Sequence, residues 1–199
     1  MKRFATSDHH FAHANIIKYC SRPFSDVDEM NQTLVKNWNS RVNPGDEVFH
    51  LGDLCFHGGT QGGNKTGYHW VSQLNGKIIH VAGNHDNNNR AKSIINSVSL
   101  YFGGFNILAK HVPPFSVYDI PDYIDFVICG HVHEKWGIKW LTDGCGRDVL
   151  LINVGVDVRK FAPVRMEEVT TIYLRSLDLK KRIGIIAERA MVNSADDTY

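Results

Sequence analysis

Residues 7–13 read Ser-Asp-His-His-Phe-Ala-His, so Asp8, His9, His10 and His13 cluster directly after a short apolar run. Imidazole and carboxylate are the side chains that bind divalent ions or move protons near neutral pH. Four later stretches carry the same chemistry: His50-Leu51-Gly52-Asp53, Gly83-Asn84-His85-Asp86, His111-Val112-Pro113 and Gly130-His131-Val132-His133. The eleven histidines are dispersed along the chain, which excludes a purification tag and points to a site.

Each of these stretches follows a brief, β-branched or apolar segment: 2–7, 47–51, 77–82, 105–110 and 125–129. Their length and composition predict strands, several of them buried. Ligands of open α/β sheets gather beyond the carboxyl ends of the strands, so five strand ends would bring these side chains together. Asp8, His10, Asp53, Asn84, His111, His131 and His133 are too many donors for one tetrahedral ion. Mixed imidazole, carboxylate and amide donors suit Mn²⁺, Fe²⁺, Zn²⁺ or Ni²⁺ better than Ca²⁺. Two metal ions would use them all.

The elements that must hold these donors interleave. Met30, Leu34, Val35, Trp38 and Val42 recur at helical spacing, with Asp26 and Glu29 patterned as a capping box, and the helix ends before Asn43-Pro44-Gly45. Further helices are expected over 90–98 and about 164–181. Strands over 136–141 and 149–154 flank a hairpin turn, and residues 191–199 are expected to fray. With no repeat, linker or shift in composition, residues 1–199 read as one α/β domain.

At 199 residues the chain can bury a core unaided, and a net charge of +1 offers no general attraction for nucleic acid or an anionic membrane. Any nucleic-acid contact must then be local. No apolar stretch is long enough to span a bilayer and no leader precedes Asp8, so a cytoplasmic protein is expected. Cys20, Cys55, Cys129 and Cys145 lack a C-x-x-C spacing and read as free thiols.

The ordered blocks Asp8-x-His10, Gly52-Asp53, Gly83-Asn84-His85-Asp86, His111 and Gly130-His131-x-His133 resemble the signature of the calcineurin-like metallophosphoesterase superfamily, over roughly residues 7–133. The opening Ser7–Ile17 stretch, with Ser21-Arg22-Pro23-Phe24, is similar to a small bacterial and phage branch of unassigned substrate. The resemblance implies a sandwich of two mixed β-sheets flanked by helices. It also implies two divalent metals, manganese first, with iron, zinc, nickel or cobalt as alternatives. Asp8, His10, Asp53 and His133 would hold one ion; Asp53, Asn84, His111 and His131 the other, with Asp53 bridging. A metal-bridging hydroxide would attack phosphorus, His85 would protonate the leaving oxygen, and Asp86 would orient His85.

His13, Asn15 and Arg22 are candidate substrate contacts, Arg22 as a phosphate clamp. His9 should point away from its neighbours if the strand pleat persists. His50, His57, His69 and His80 read as structural, as do Trp136, Trp140 and the segment Asn153–Asp157. Residues 58–66 nearly match a phosphate-binding loop, but Asp53 already occupies the strand end, so they read as a glycine-rich loop beside the site. Asp86 after Gly-Asn-His departs from the phosphoprotein phosphatases. The expected activity is hydrolysis of a small phosphoester, nucleotide or nucleic-acid end, on a mono- or diester. The alternatives are a non-catalytic metal-binding scaffold, or a nuclease gripping a short strand through Arg22, Lys65 and Arg90. The oligomeric state is open.

Overall fold

The computed structural model describes residues 1–56, 67–86 and 93–196, with side chains through residue 183. The chain runs β1 (Arg3–Thr6), α1 (Ala14–Tyr19), α2 (Val27–Arg41), β2 (Glu47–His50), α3 (Gly67–Val71) and β3 (Lys77–His80). It continues through β4 (Ser97–Phe102), β5 (Phe105–Lys110), β6 (Phe126–Cys129), β7 (Ile138–Thr142), β8 (Asp148–Asn153), β9 (Val164–Arg165) and α4 (Met166–Asp196).

The strands form two mixed sheets, ordered β3-β2-β1-β9 and β4-β5-β6-β8-β7. In the first, β1, β2 and β3 are parallel and β9 is antiparallel to β1. In the second, β5, β6 and β8 are parallel, with antiparallel β4 and β7 at the edges. Because successive side chains of a strand point to opposite faces, each sheet feeds two cores. Ala5 and Phe49 meet Ile107, Phe126, Ile128, Leu150 and Ile152 between the sheets. Met166, Val169 and Tyr173 of α4 close that layer.

Phe4 and Val48, on the opposite face of the first sheet, bury Met30, Leu34 and Trp38 of α2 together with Trp70 of α3. The outer face of the second sheet is covered by Val117, Ile120 and Ile124 from a loop containing a 3₁₀ turn. Burying a side chain such as Leu34 contributes roughly 1.5–3 kcal/mol, so these three layers hold the strand ends rigidly in register. Among the described residues, no helix is long and apolar enough to cross a membrane.

Several expectations need correction. Residues 93–96 are irregular and lead into β4, so the helix expected over 90–98 is absent from its described part; residues 90–92 lie outside the described residues. The omitted signal is Gly103-Gly104, with φ of 60° and 88°, which turns β4 into β5 as a two-residue hairpin. The last helix continues to Asp196, past Lys181 and into the segment expected to fray; 197–199 lie outside the described residues. The capping box is half built. Asp26 accepts from the backbone of Asp28 and Glu29, whereas the Glu29 carboxylate accepts from the backbone N–H and hydroxyl of Ser25.

Candidate metal centre

The described strands deliver their donors to one end of the sandwich through unusual backbone. Asp8, His10, Asp53, His131 and His133 all have positive φ, between 48° and 70°. Left-handed backbone costs a non-glycine residue on the order of 1–3 kcal/mol, and such strain gathers at functional sites. The abrupt turns end the strands here and bring donors from separate loops, such as Asp8, His10 and His133, to a common point.

Asp53 lies at the middle. Its Oδ2 stands 3.5 Å from His10 Nε2 and 3.4 Å from His111 Nε2, and its Oδ1 accepts the backbone N–H of His85 at 2.9 Å. Asn84 Oδ1 is 2.7 Å from His111 Nε2 and 3.0 Å from His131 Nδ1. The Asp8 carboxylate accepts the His131 backbone N–H at 2.9 Å. Donor atoms of Asp8, His10 and His133 lie within 4.8 Å of one another, as do those of Asp8, Asp53 and His111. His10 Nε2 is buried with no hydrogen-bond partner. A buried imidazole nitrogen without a partner is costly, and a cation among these donors would satisfy it. The donor set therefore fits divalent metal.

Electrostatics agree with close packing of these groups. Burial pushes the Asp8 carboxyl up, against the pull of His111 and His133. Burial would also raise Asp53, but its bond to His111 and the charges around it leave it below the usual carboxylate range. Burial lowers His111 and His133, yet Asp53 with Asp8 for one, and Asp157 with Asp8 for the other, hold both imidazoles above their ordinary value. His10 is driven well down, chiefly by burial.

Glycines make room for this crowding. A Cβ on Gly83 would strike the Asp53 backbone N and carboxylate, and one on Gly130 would strike the Ser7 hydroxyl and Asp8 Oδ2. Neither glycine can be replaced without displacing a donor.

A family model described as the calcineurin-like phosphoesterase superfamily domain matches residues 1–172. The chain belongs to that superfamily. An uncharacterized protein of Methanocaldococcus jannaschii is 37% identical over 166 residues, covering 83% of this chain and 88% of the relative. The gene 66 protein of Mycobacterium phage L5 is 35% identical over 81 residues, 41% of this chain and 38% of the phage protein. Among solved structures, a protein of unknown function from Aquifex aeolicus superposes with a TM-score of 0.64 at 24% identity, covering 86% of this chain and 98% of that one. That likeness concerns the fold alone. As a calcineurin-like phosphoesterase, the chain carries groups of side chains able to bind metal where its strands end.

Other expected site residues are placed differently. Arg22 is only 4% exposed and is no free clamp. Its Nε and Nη2 donate to Asp157 at 2.7 and 2.9 Å, Nη2 also to the Asp8 carbonyl at 2.7 Å, and Nη1 to the His9 carbonyl at 2.9 Å. Its fork is filled by protein acceptors, so it holds the turn that presents Asp8. Asp157, which sequence reading left as structural, accepts from Arg22 and lies 2.9 Å from His133 Nδ1. A carboxylate bonded to the second nitrogen of a ligating imidazole fixes the ring and its tautomer.

Asp86 is 1% exposed, and its carboxylate accepts the backbone N–H groups of Asp53, Leu54 and Gly83 at 2.8–3.1 Å. It also stands 3.1 Å from His80 Nε2. It organises the loops that carry Asp53 and Asn84, while the His85 side chain lies on the exposed side. His85 itself packs its ring 5.5 Å from that of His10.

His9 is turned into the core. The positive φ of Asp8 and His10 breaks the pleat and sends it, fully buried, against Trp38 and Phe11, with Nδ1 3.0 Å from His50 Nε2. His13 lies beside the centre, its Nδ1 3.4 Å from His10 Nδ1 and its ring stacked on Phe56 at 4.2 Å. Burial lowers its pKa to about 4. Asn15 is exposed on α1. Trp136 packs on the outer core and Trp140 on the inner one, under Lys180. His57, the 58–66 loop, Lys65 and Arg90 lie outside the described residues.

Proposed function

We propose that the chain is a two-metal phosphoesterase of small phosphoesters, nucleotides or nucleic-acid ends. The observation that carries this reading is the position of Asp53, one carboxylate oxygen within 3.5 Å of both His10 Nε2 and His111 Nε2. A carboxylate between two imidazole clusters is the arrangement that lets one side chain serve two cations. Asp8, His10, Asp53 and His133 would hold one ion; Asp53, Asn84, His111 and His131 would hold the other. Bound divalent ions, with manganese the first choice, supply Lewis acidity and a nucleophile from water at neutral pH.

The remaining roles belong to the chain. His85, exposed at the lip and tied through its backbone N–H to Asp53, donates a proton to the leaving oxygen. Asp157 keeps His133 oriented, and Asp86 keeps the two ligand loops together. His13, neutral and stacked on Phe56, offers a flat wall beside His10 for substrate. A cytoplasmic setting fits the four free cysteines, which an oxidising compartment would tend to pair.

The test is metal analysis with hydrolysis of bis-p-nitrophenyl phosphate, p-nitrophenyl phosphate and a panel of mono- and dinucleotides after reconstitution with Mn²⁺, Ni²⁺ or Co²⁺. About two ions per chain and turnover of at least one ester class are expected. A fully metallated protein inert on every ester would instead be a metal-binding scaffold.

A further inference from the structure

We infer that a basic groove along the edge strand β9 binds the backbone of a single-stranded nucleic acid. Two adjoining cavities of about 430 and 410 Å³ lie there, sharing Arg41, Glu168 and Thr171 as common walls. Six cations line them: Lys2, Arg41, Arg159, Lys160, Arg165 and Arg175. Only two acids, Glu167 and Glu168, stand among them. On a chain whose net charge is +1, this concentrates positive charge on one face and leaves the remainder net acidic.

The charges that matter are unspent. Glu168 is committed to the Arg41 guanidinium and to the Arg165 backbone N–H at 2.8 Å. Arg159 is turned inward, donating to the Asn153 and Gly137 carbonyls. Lys2, Lys160, Arg165 and Arg175 are exposed and form no ion pair with any described residue. Each can meet an external anion without breaking an internal contact.

The groove also has a direction. Lys160 follows the 3₁₀ turn Val156–Val158, which contains Asp157, the residue bonded to the candidate metal ligand His133. From there the cavities pass β9, which pairs with β1, to Lys2 at the start of β1, the end of the first sheet opposite Asp8. A line of exposed cations leading away from a phosphoester site suits a repeating phosphodiester. The inference deepens the hydrolase reading by naming a polyanionic substrate class, and rests on that reading only for what happens at the metal end.

Binding of fluorescein-labelled dT12 to the full chain in EDTA, followed by anisotropy from 50 to 300 mM salt, tests it. The variant Lys160→Gln/Arg165→Gln/Arg175→Gln should weaken binding at least about tenfold at 100 mM salt. Its slope of log affinity against log salt should shrink by about 2, as expected for three lost contacts to a single strand. Circular dichroism of the variant, and its kcat/KM on bis-p-nitrophenyl phosphate with Mn²⁺, separate this loss from misfolding and from general loss of the site. Wild-type chain that ignores dT12, a variant with an unchanged salt slope, or poly-L-glutamate competing as well as dT12 at equal charge would each overturn the groove. Absence of turnover on every ester tested after Mn²⁺ reconstitution, dT12 included, with dT12 binding intact would keep the groove and sink the hydrolase reading.

Discussion

Arg22 grips Asp157 at two points, 2.7 Å from Nε to Oδ1 and 2.9 Å from Nη2 to Oδ2, with both side chains almost wholly buried. The pair joins residues far apart in sequence, and each partner reaches a different candidate metal ligand. Asp157 touches the His133 ring, and Arg22 holds the carbonyl of left-handed Asp8. A planar guanidinium can fill four acceptors in one plane, which an ammonium cannot. Arg22→Lys should therefore keep the charge and lose the geometry. We expect a 10- to 100-fold loss of metal affinity by titration calorimetry, on the order of other losses of support around a ligating residue. Arg22→Leu, which leaves Asp157 buried and unpaired, should cost roughly 3–5 kcal/mol of stability in urea. Metal affinity of the lysine variant equal to wild type would refute the positioning role.

His85 is assigned to neither ion and stands on the exposed side of the centre. His85→Asn should reduce turnover of an ester with a poor leaving group by roughly 10²–10⁴. Its metal content, read by elemental analysis, should stay near wild type. Loss of metal along with activity would mean that His85 is a ligand and not a proton donor.

Gly130 backs onto Asp8, and a Cβ there would approach Asp8 Oδ2 to 2.5 Å. Gly130→Ala should cost about 1–3 kcal/mol through overpacking and weaken metal binding in the same step. Thermal melts with and without Mn²⁺ check this. If the alanine variant gains as much melting temperature from Mn²⁺ as wild type does, the close contact does not constrain the ligand.

The buried His9–His50 pair makes stability depend on pH. Burial, with the nearby Arg22 charge, drives His9 down to about 3; burial, with His9 and His80, drives His50 well below its ordinary 6.5. An unfolded chain binds these protons from about pH 6.5 downward while the folded chain resists. The stability contributed is thus fully present above pH 6.5 and is lost as pH falls towards 3. His111 and His133, held above their ordinary value, act in the opposite sense, favouring the fold at low pH and losing that contribution as pH rises through their folded values. Urea midpoints of metal-free protein between pH 7.5 and 4.5 should fall, and His50→Leu should flatten the slope by about one proton. An unchanged slope in that variant would show that His50 is already protonated in the fold.

Much of the site was legible in the sequence because its chemistry is local. A short apolar strand, a glycine and a donor recur at Asp53, Asn84 and His131, and each block declares a strand end without reference to the others. The same locality explains the errors. β4 is absent from the expected strands although Ser97–Phe102 alternates and a Gly-Gly turn follows, and the helix expected over 90–98 overlaps its start. β9 has two residues and exists only by pairing with Phe4 and Ala5.

The chain's own order of residues determined which side chains could bind metal and that five strand ends carry them, since strand period and ligand chemistry are properties of short segments. Tertiary structure alone decided which donors lie within reach of one another and which polar residues support them. Arg22 could have faced a phosphate and Asp157 solvent; burial gave each a protein partner instead. Their partners are non-local, and a buried charge must take whatever opposing group the fold brings within reach.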